Sequence, residues 1–280
     1  MRINNNIQAL NAYNNMSRNQ FKTSKNLERL SSGMRINRAA DDAAGLAISE
    51  KMRGQIRGLG MAERNTLDGI SLLQTAEGAL ANVHEMLQRM RELAVQASNE
   101  TYEDSDRLEI QEEIDQLLQS IDDVASNTQF NGKQLLNGSF GTVGSGLYLQ
   151  IGANANQGVE MIISEMSSAQ LGIGSGSPGG KLDVTSRIAA NQSITRAQEA
   201  IEAVSSQRSK MGAMQNRLEY TMNNLAVARE NLTSAESRIR DSDMAQEMTE
   251  FTRNNIINQA ATAMLAQANQ LPQGVLQLLQ

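Results

Sequence analysis

Apolar residues near both ends of the chain recur at alternating intervals of three and four positions. The series near the C terminus consists of Ile257, Ala261, Met264, Ala268, Leu271, Val275 and Leu278, and the first residues repeat it with Ile3, Ile7 and Leu10. Two apolar positions in every seven are typical of a coiled-coil seam, which is narrower than the apolar stripe of a globular helix. The spacing therefore predicts two terminal helices that pack along narrow seams, with each other or with further copies of the chain.

The N-terminal part of the chain is predicted to form three helices. The first covers residues 3 to about 32 and ends at Gly33, a residue type that favours the position after a helix. The second begins at Asp41 or Asp42, either of which can cap a first turn, and it stops at the glycines Gly54, Gly58 and Gly60. The third covers residues 64–99, and its seam consists of Leu73, Ala76, Leu80, Val83, Leu87, Met90, Ala94 and Ala97.

Two further helices and a final one follow from the same spacing. One is predicted from about residue 106 to residue 124, with Asp106 near the positive end of its dipole. The next is predicted from about residue 186 to residue 240 and is about 80 Å long at 1.5 Å per residue. Pro272 lies inside the last helix, and we expect it to kink that helix or to remove one hydrogen bond.

The period changes from helical spacing to strict alternation in the middle of the chain. Apolar and polar residues alternate on either side of a turn-forming segment, which predicts a β-hairpin at about residues 140–165. Residues 172–180 are rich in glycine and serine and predict a flexible loop. The predicted fold class is therefore mainly α: a long coiled-coil-like helical bundle whose N- and C-terminal helices pair, with a small β-hairpin at its tip.

Composition excludes several classes of function. The formal net charge of -6 argues against a surface for nucleic acid or anionic membranes. The chain has no cysteine and one histidine, which removes disulfides, thiolate chemistry and most zinc sites. No segment approaches the about 18–20 apolar residues that a membrane-spanning helix needs. We therefore expect a protein that is not an enzyme and that uses no metal or cofactor.

Three short motifs that could carry chemistry have simpler explanations. The segment 174–181 approaches a phosphate-binding loop, but serine stands at the position of its first glycine and Leu182 follows the lysine. The segment that begins at Asp241 opens like a calcium loop but lacks the later ligands. The acidic residues Glu109, Glu112, Glu113 and Asp115 have the pattern of the solvated face of a helix.

Several segments resemble the bacterial flagellins closely. In the N-terminal half they are residues 27–57, 68–80, 87–96 and 129–132, and in the C-terminal half they are residues 231–245 and 263–270. The match covers about residues 1–165 and 183–280 in order, and its length makes it specific. Larger members of that family insert variable outer domains in the middle of the chain. This sequence has only the short segment 172–180 there and resembles a minimal flagellin.

The resemblance implies the structural subunit of the extracellular flagellar filament, used for motility and exported unfolded through a type III system. It implies an inner domain made of residues 1–40 and 245–280, and a rod-shaped domain made of residues 41–244. The implied partners are further copies of the chain, an export chaperone on the C-terminal region, and the filament cap and junction proteins. The resemblance also implies a patch for the flagellin-sensing Toll-like receptor at Arg89, Leu93 and Glu113.

The narrow terminal seams suggest how such a subunit assembles. A helix that buries only a narrow apolar seam gains too little to offset its ordering entropy. We therefore expect the terminal segments to be mobile in the free subunit and to become helical when they join neighbours. Two alternatives stay open at this point: a hook–filament junction protein of the same family, and an unrelated coiled-coil scaffold that forms closed oligomers.

Overall fold

The computed structural model describes residues 6–142, 144–175 and 180–278, with side chains as far as residue 270. The structure is mainly α-helical, which confirms the predicted fold class. Its long helices are α1 (Ile7–Ser32), α2 (Ala43–Ala97), α3 (Asp104–Asn127), α4 (Arg187–Arg240) and α5 (Met244–Leu278). Helix α5 continues past Pro272, and the kink expected there stays a prediction.

Four short strands lie between α3 and α4 in the part of the chain that the structure describes. Strands β1 (Gln129–Phe130) and β2 (Lys133–Gln134) form one antiparallel pair, and strands β3 (Leu147–Gln150) and β4 (Gly158–Met161) form another. The second pair is the predicted hairpin, with Leu147 opposite Met161 and Gln150 opposite Gly158. The first pair is joined by Asn131 and Gly132, which have positive φ angles of 50° and 76°. Both central residues of a tight hairpin turn need such angles, and Asn-Gly adopts them readily.

The chain divides into two compact units, which are described separately. The first unit consists of residues 1–54 and 230–280, and the second consists of residues 55–229. The predicted inner-domain segments, residues 1–40 and 245–280, lie within the first unit. The predicted assignment of inner and rod-shaped domains itself stays a prediction.

The second unit has a continuous apolar core. All eight residues of the predicted α2 seam between Leu73 and Ala97 are at most 2% exposed, which confirms that seam. Helix α3 adds Ile110, Ile114 and Ile121, and α4 adds Ala200, Ile201, Val204, Met211 and Leu218. The side chains that close this core around the strands are Leu135, Leu136, Met161, Ile163 and Ile173.

The prediction that glycines end a short second helix is wrong. Helix α2 is continuous over 55 residues and includes Gly54, Gly58 and Gly60. Two glycines of α2 instead allow the hairpin region to approach the helix. A Cβ atom on Gly58 would lie 2.9 Å from the Cβ atom of Ala153, and one on Gly69 would lie 2.5 Å from a methyl group of Leu149. Each glycine costs about 1 kcal/mol of helix propensity, which the close packing it permits offsets.

The predicted helix ends near residues 33 and 42 are confirmed. Gly33 has a φ angle of +69°, and its N–H donates to the carbonyl of Arg29 at 2.8 Å. This left-handed conformation costs glycine little and ends α1. Of the two candidate caps for α2, Asp42 accepts a hydrogen bond from the N–H of Gly45 at 2.8 Å.

The guanidinium group of Arg196 connects both ends of the segment predicted to be a flexible loop. It donates hydrogen bonds to the carbonyl oxygens of Gly172 and Gly180. Residues 176–179 lie outside the described residues, so the flexibility expected of this segment stays a prediction.

Candidate assembly surface of the terminal helices

Helices α1 and α5 pack against each other in the first unit, which confirms that the terminal helices pair. Among the residues whose side chains the structure describes, three hydrogen bonds between side chains or from side chain to backbone connect them. Asn6 donates to the carbonyl of Ala268 at 2.7 Å, and Asn258 donates to the hydroxyl of Thr23 at 2.9 Å. Arg29 donates to the carboxylate of Glu247 at 3.0 Å. Residues near the start of α1 contact residues near the end of α5, and residues near the end of α1 contact residues near the start of α5. The two helices are therefore antiparallel.

The residues that are buried or half-buried on these two helices are mostly small or polar. On α1 they include Ala9, Ala12, Met16, Asn19, Thr23, Asn26 and Leu30. On α5 they include Glu247, Phe251, Asn254, Asn258, Ala261, Leu265 and Ala268. Both series alternate intervals of three and four. The contact between α1 and α5 is therefore a narrow seam, which we call the polar seam.

The polar seam holds buried groups that lack hydrogen-bond partners. Asn26, Asn254 and Glu247 are all less than 9% exposed, and the Asn26 Nδ2 atom and one oxygen of Glu247 bond to no described atom. A buried polar group without a partner costs about 1–3 kcal/mol. Polar residues at seam positions fix the register of a helix pair but reduce its stability. Such residues therefore favour one register of α1 against α5 and reduce the stability of the contact between them.

The larger apolar residues of the series predicted from sequence lie outside the polar seam. Ile7 and Leu10 are 59% and 60% exposed, and Ile257 and Met264 are 39% and 63% exposed. These four side chains are not part of the polar seam. The two alanines of the same series, Ala261 and Ala268, do belong to it. Ile3 lies outside the described residues, as do the side chains of Leu271, Val275 and Leu278.

The first unit exposes many further large apolar side chains. On α1 and α5 they are Tyr13, Phe21, Leu27, Met244, Met248 and Ile256. A groove of about 640 Å³ between the two helices is lined in part by Ala12, Ala261, Ile257 and Met264. Exposed apolar surface of this extent marks a site of protein–protein contact. We call the exposed apolar side chains of α1 and α5 the terminal apolar surface.

Charged groups stabilise the turn that follows α1. The Asp41 carboxylate lies 2.6 Å from the Lys25 ammonium group and accepts hydrogen bonds from the N–H groups of Asn37 and Arg38, each at 3.2 Å. The hydrogen bond from Lys25 is the largest cause that lowers the pKa of Asp41 to about 2, and the two backbone N–H groups add to it. Nearby, the hydrogen bond from Arg240 lowers the pKa of Glu50.

We expect the stability of the first unit to fall at acid pH through Asp41. Its folded pKa of about 2 lies below the ordinary value of 3.8, so the unfolded chain binds the proton more readily. The stabilisation is complete above pH 3.8 and is lost as the pH falls through 2. Asp41→Asn is therefore expected to reduce the stability at pH 6 but not at pH 2. Urea unfolding of both proteins across this range measures the difference, and an equal loss at both pH values would contradict the assignment.

The three residues of the predicted receptor patch occupy different environments. Arg89 and Glu113 are exposed and form an ion pair with 2.9 Å between Nη2 and Oε1. This hydrogen bond with Glu113 raises the pKa of Arg89 above its usual range. Leu93 is 2% exposed and belongs to the core of the second unit. The structure therefore places two of these side chains together at the surface and the third beneath it.

Two types of site are absent from the described part of the chain. No group of three or more His, Cys, Asp or Glu side chains comes close enough together there to hold a metal ion. Among the helices described, none is long and apolar enough to span a membrane.

Protein-family models match both the N-terminal and the C-terminal part of the chain. The family model for the bacterial flagellin N-terminal helical region matches residues 3–141, and the model for the C-terminal helical region matches residues 194–279. The flagellin of Bacillus subtilis is 55% identical, and the flagellin of Halalkalibacterium halodurans is 54% identical. Each comparison covers 100% of this chain and 100% of the relative.

A solved structure supports the fold. A putative flagellar hook-associated protein from Vibrio parahaemolyticus superposes with a TM-score of 0.57 and 14% identity, covering 72% of this chain and 100% of that chain. At this identity the likeness concerns the fold alone. The identity to flagellins over the full length favours a filament subunit over the two alternatives raised by the sequence, a hook–filament junction protein and an unrelated coiled-coil scaffold.

Proposed function

We propose how this chain assembles, given that it belongs to the bacterial flagellin family and is a structural subunit of the extracellular flagellar filament. The terminal apolar surface of one subunit packs against neighbouring subunits, and this packing completes the burial that the polar seam leaves unfinished. The predicted packing residues are Ile3, Ile7, Leu10, Ile257, Met264, Leu271, Val275 and Leu278. The single observation that carries the proposal is the exposure of Ile7, Leu10, Ile257 and Met264 beside a seam of small and polar residues.

The balance between apolar burial and conformational entropy favours formation of the terminal helices during assembly. Burial of apolar surface stabilises by about 25 cal/mol per Å², whereas ordering costs about 1–2 kcal/mol per residue. Most side chains of the polar seam are small or polar and contribute little, and its larger apolar members, Met16, Leu30, Phe251 and Leu265, are only half-buried. Packing of the terminal apolar surface against neighbours adds the missing burial. We propose that residues 1–40 and 245–280 are the segments that gain order and that residues 41–244 form the rod-shaped domain.

The geometry of assembly follows from the lack of internal symmetry in this surface. A contact that uses two different faces of the same chain does not close on itself unless the rotation happens to complete a ring. Repetition of such a contact produces a helical filament. This matches the filament that the family builds.

A single cysteine can report burial of the terminal apolar surface, because the natural chain has no cysteine. We expect Met264→Cys to react rapidly with a maleimide in the free subunit and to be protected in the filament. The reaction is followed by mass spectrometry on subunits and on sheared filaments. Ser126→Cys, an exposed position at the end of α3, serves as a second labelled site for the comparison. Equal labelling of Met264→Cys in both states would contradict the proposed packing.

The same surface fits the partners that flagellins need before and during assembly. We propose that an export chaperone covers the exposed apolar residues of α5, since these would otherwise drive early polymerisation. We propose that the filament cap and junction proteins contact the terminal helices through the same surface. The lack of cysteine suits an unfolded passage through a type III export pore, since no disulfide has to open.

We further propose that the flagellin-sensing Toll-like receptor contacts this chain at Arg89 and Glu113. Both side chains are exposed, and an arginine paired with a carboxylate at a surface offers a directional contact to a partner. Leu93 would act by supporting α2 beneath them, because its side chain is buried.

The receptor proposal is tested by Arg89→Ala in two parallel assays. A cell reporter for the receptor is expected to lose about tenfold or more in sensitivity, because truncation removes a charged contact at the interface. Seeded filament growth is expected to stay near that of the wild type. Arg91→Ala, a change of the same type at an exposed arginine two residues away, is the matched control. Loss of assembly with an unchanged receptor response would assign Arg89 to subunit packing.

A further inference from the structure

An apolar groove with a positively charged rim lies along α4 in the second unit. Its volume is about 400 Å³, and its apolar lining includes Met211, Met214 and Ile162. Lys210 and Arg217 line the same groove and are exposed. Neither forms an ion pair with another residue that the structure describes, so both cations are available to a partner.

The acidic residue of this groove is already engaged. The Glu160 carboxylate lines the groove and accepts hydrogen bonds from the N–H groups of Gly144 at 2.6 Å and Gly146 at 3.1 Å. It therefore does not neutralise the rim by an ion pair. The residues between the two cations on the exposed face of α4 include Ala213, whose small side chain lets another helix approach closely.

Helix α3 presents the complementary surface. An exposed stripe at intervals of three and four consists of Glu109, Glu112, Gln116, Gln119 and Asp123. Glu109 and Glu112 have no ion-pair partner among the described residues. Beside them Leu108 is 57% exposed, although it is a large apolar residue on an otherwise polar face.

The one basic residue of α3 does not alter the charge of this face. Arg107 is 9% exposed, and its guanidinium group donates to the carbonyls of Ala97 and Asn99 and to the Asp104 carboxylate. The exposed face of α3 is therefore acidic around a single apolar side chain. A partner for this face needs cationic groups around an apolar pocket.

We propose that Leu108 of one subunit enters the α4 groove of a neighbouring subunit, where Glu109 and Glu112 pair with Lys210 and Arg217. The occupant of the groove is thus a second copy of this chain. This inference rests on the proposed self-assembly through heterologous contacts, which requires that two different surfaces of one chain complement each other. The α4 groove and the exposed face of α3 fulfil this requirement, because their charges are complementary and each has an apolar centre.

The spacing of the charges agrees with this contact. At 1.5 Å per residue, Lys210 and Arg217 lie about 10.5 Å apart along α4, and Glu109 and Glu112 lie about 4.5 Å apart along α3. The difference of about 6 Å is within the combined reach of two long cationic side chains that bend inward. Entry of Leu108 between them excludes water, which strengthens the ion pairs.

Charge exchange tests this contact. One variant carries Lys210→Glu and Arg217→Glu, a second carries Glu109→Lys and Glu112→Lys, and a third carries all four changes. The first two are expected to elongate filament fragments at least about tenfold more slowly than the wild type, because each brings like charges together. The third is expected to elongate its own fragments within about threefold of the wild-type rate, because both signs are reversed. It is also expected to elongate wild-type fragments poorly.

The outcomes separate this contact from the assembly mechanism of the termini. Circular dichroism of each free variant first establishes that it is folded. Wild-type rates for the first two variants, or a failure of the fourfold variant to recover, would overturn the proposed contact while leaving the terminal mechanism intact. A variant with Arg91→Glu and Lys133→Glu makes the same change in net charge as the variant with Lys210→Glu and Arg217→Glu, but at exposed positions outside both surfaces, and it is expected to elongate normally. Slow elongation by this control would instead assign the losses to net charge, because the fourfold variant restores the wild-type net charge and would recover for that reason alone.

Discussion

Replacing Ile257 and Met264 with aspartate is expected to abolish filament elongation while leaving the free subunit folded. Both side chains are exposed in the subunit, so the change removes no packing from its core. In the filament the same positions would lie against neighbouring subunits. Each carboxylate buried there without a partner costs several kcal/mol. Because 1.4 kcal/mol corresponds to about a factor of ten, two such groups would slow or weaken subunit addition by at least about a thousandfold.

The measurement is seeded growth on sheared wild-type filaments, followed by light scattering and electron microscopy. Circular dichroism of the free variant is expected to match that of the wild type. The conservative variant Ile257→Val with Met264→Leu keeps the positions apolar and is expected to elongate nearly as fast as the wild type. Normal elongation by the aspartate variant would remove these residues from the packing surface.

The apolar periodicity predicted the second unit well. Its core helices combine a regular seam with large aliphatic residues, and burial of those residues dominates the packing. The β-hairpin was also predictable, because alternation over four residues or more is a clear signal. Strands β1 and β2 have two residues each, which is too short for any periodic signal, although the Asn131–Gly132 turn between them is visible in the sequence.

The contact between α1 and α5 could not be located from apolar periodicity. The polar seam that joins them is built from residues such as Asn26, Thr23 and Asn258, which carry no apolar signal. The apolar series on the same helices is more conspicuous, and it points to the neighbouring face. In this protein the larger apolar residues of the predicted series therefore lie on the terminal apolar surface, whereas the intramolecular contact uses mostly small and polar groups.

The glycines of α2 show a second limit of local reasoning. Three glycines within seven residues reduce helix propensity and predict a break. Tertiary packing of the hairpin region against Gly58 and Gly69 requires helical backbone without side chains there. Propensity alone cannot distinguish a helix end from a site of close approach, because the relevant partner lies far away in the sequence.

Hydrogen exchange of the backbone amides tests the central claim most directly, because it reports how stably each helix is formed in the free subunit and in the filament. Amides of residues 73–97 in the core of α2 serve as an internal reference and should be protected in both states. We expect amides of α1 and α5 to exchange at least about a hundredfold faster than this reference in the free subunit, since a polar seam gives them little stability. In the filament the same amides are expected to approach the protection of the reference. Strong protection of α1 and α5 in the free subunit, unchanged on assembly, would contradict the claim that neighbouring subunits complete the terminal helices.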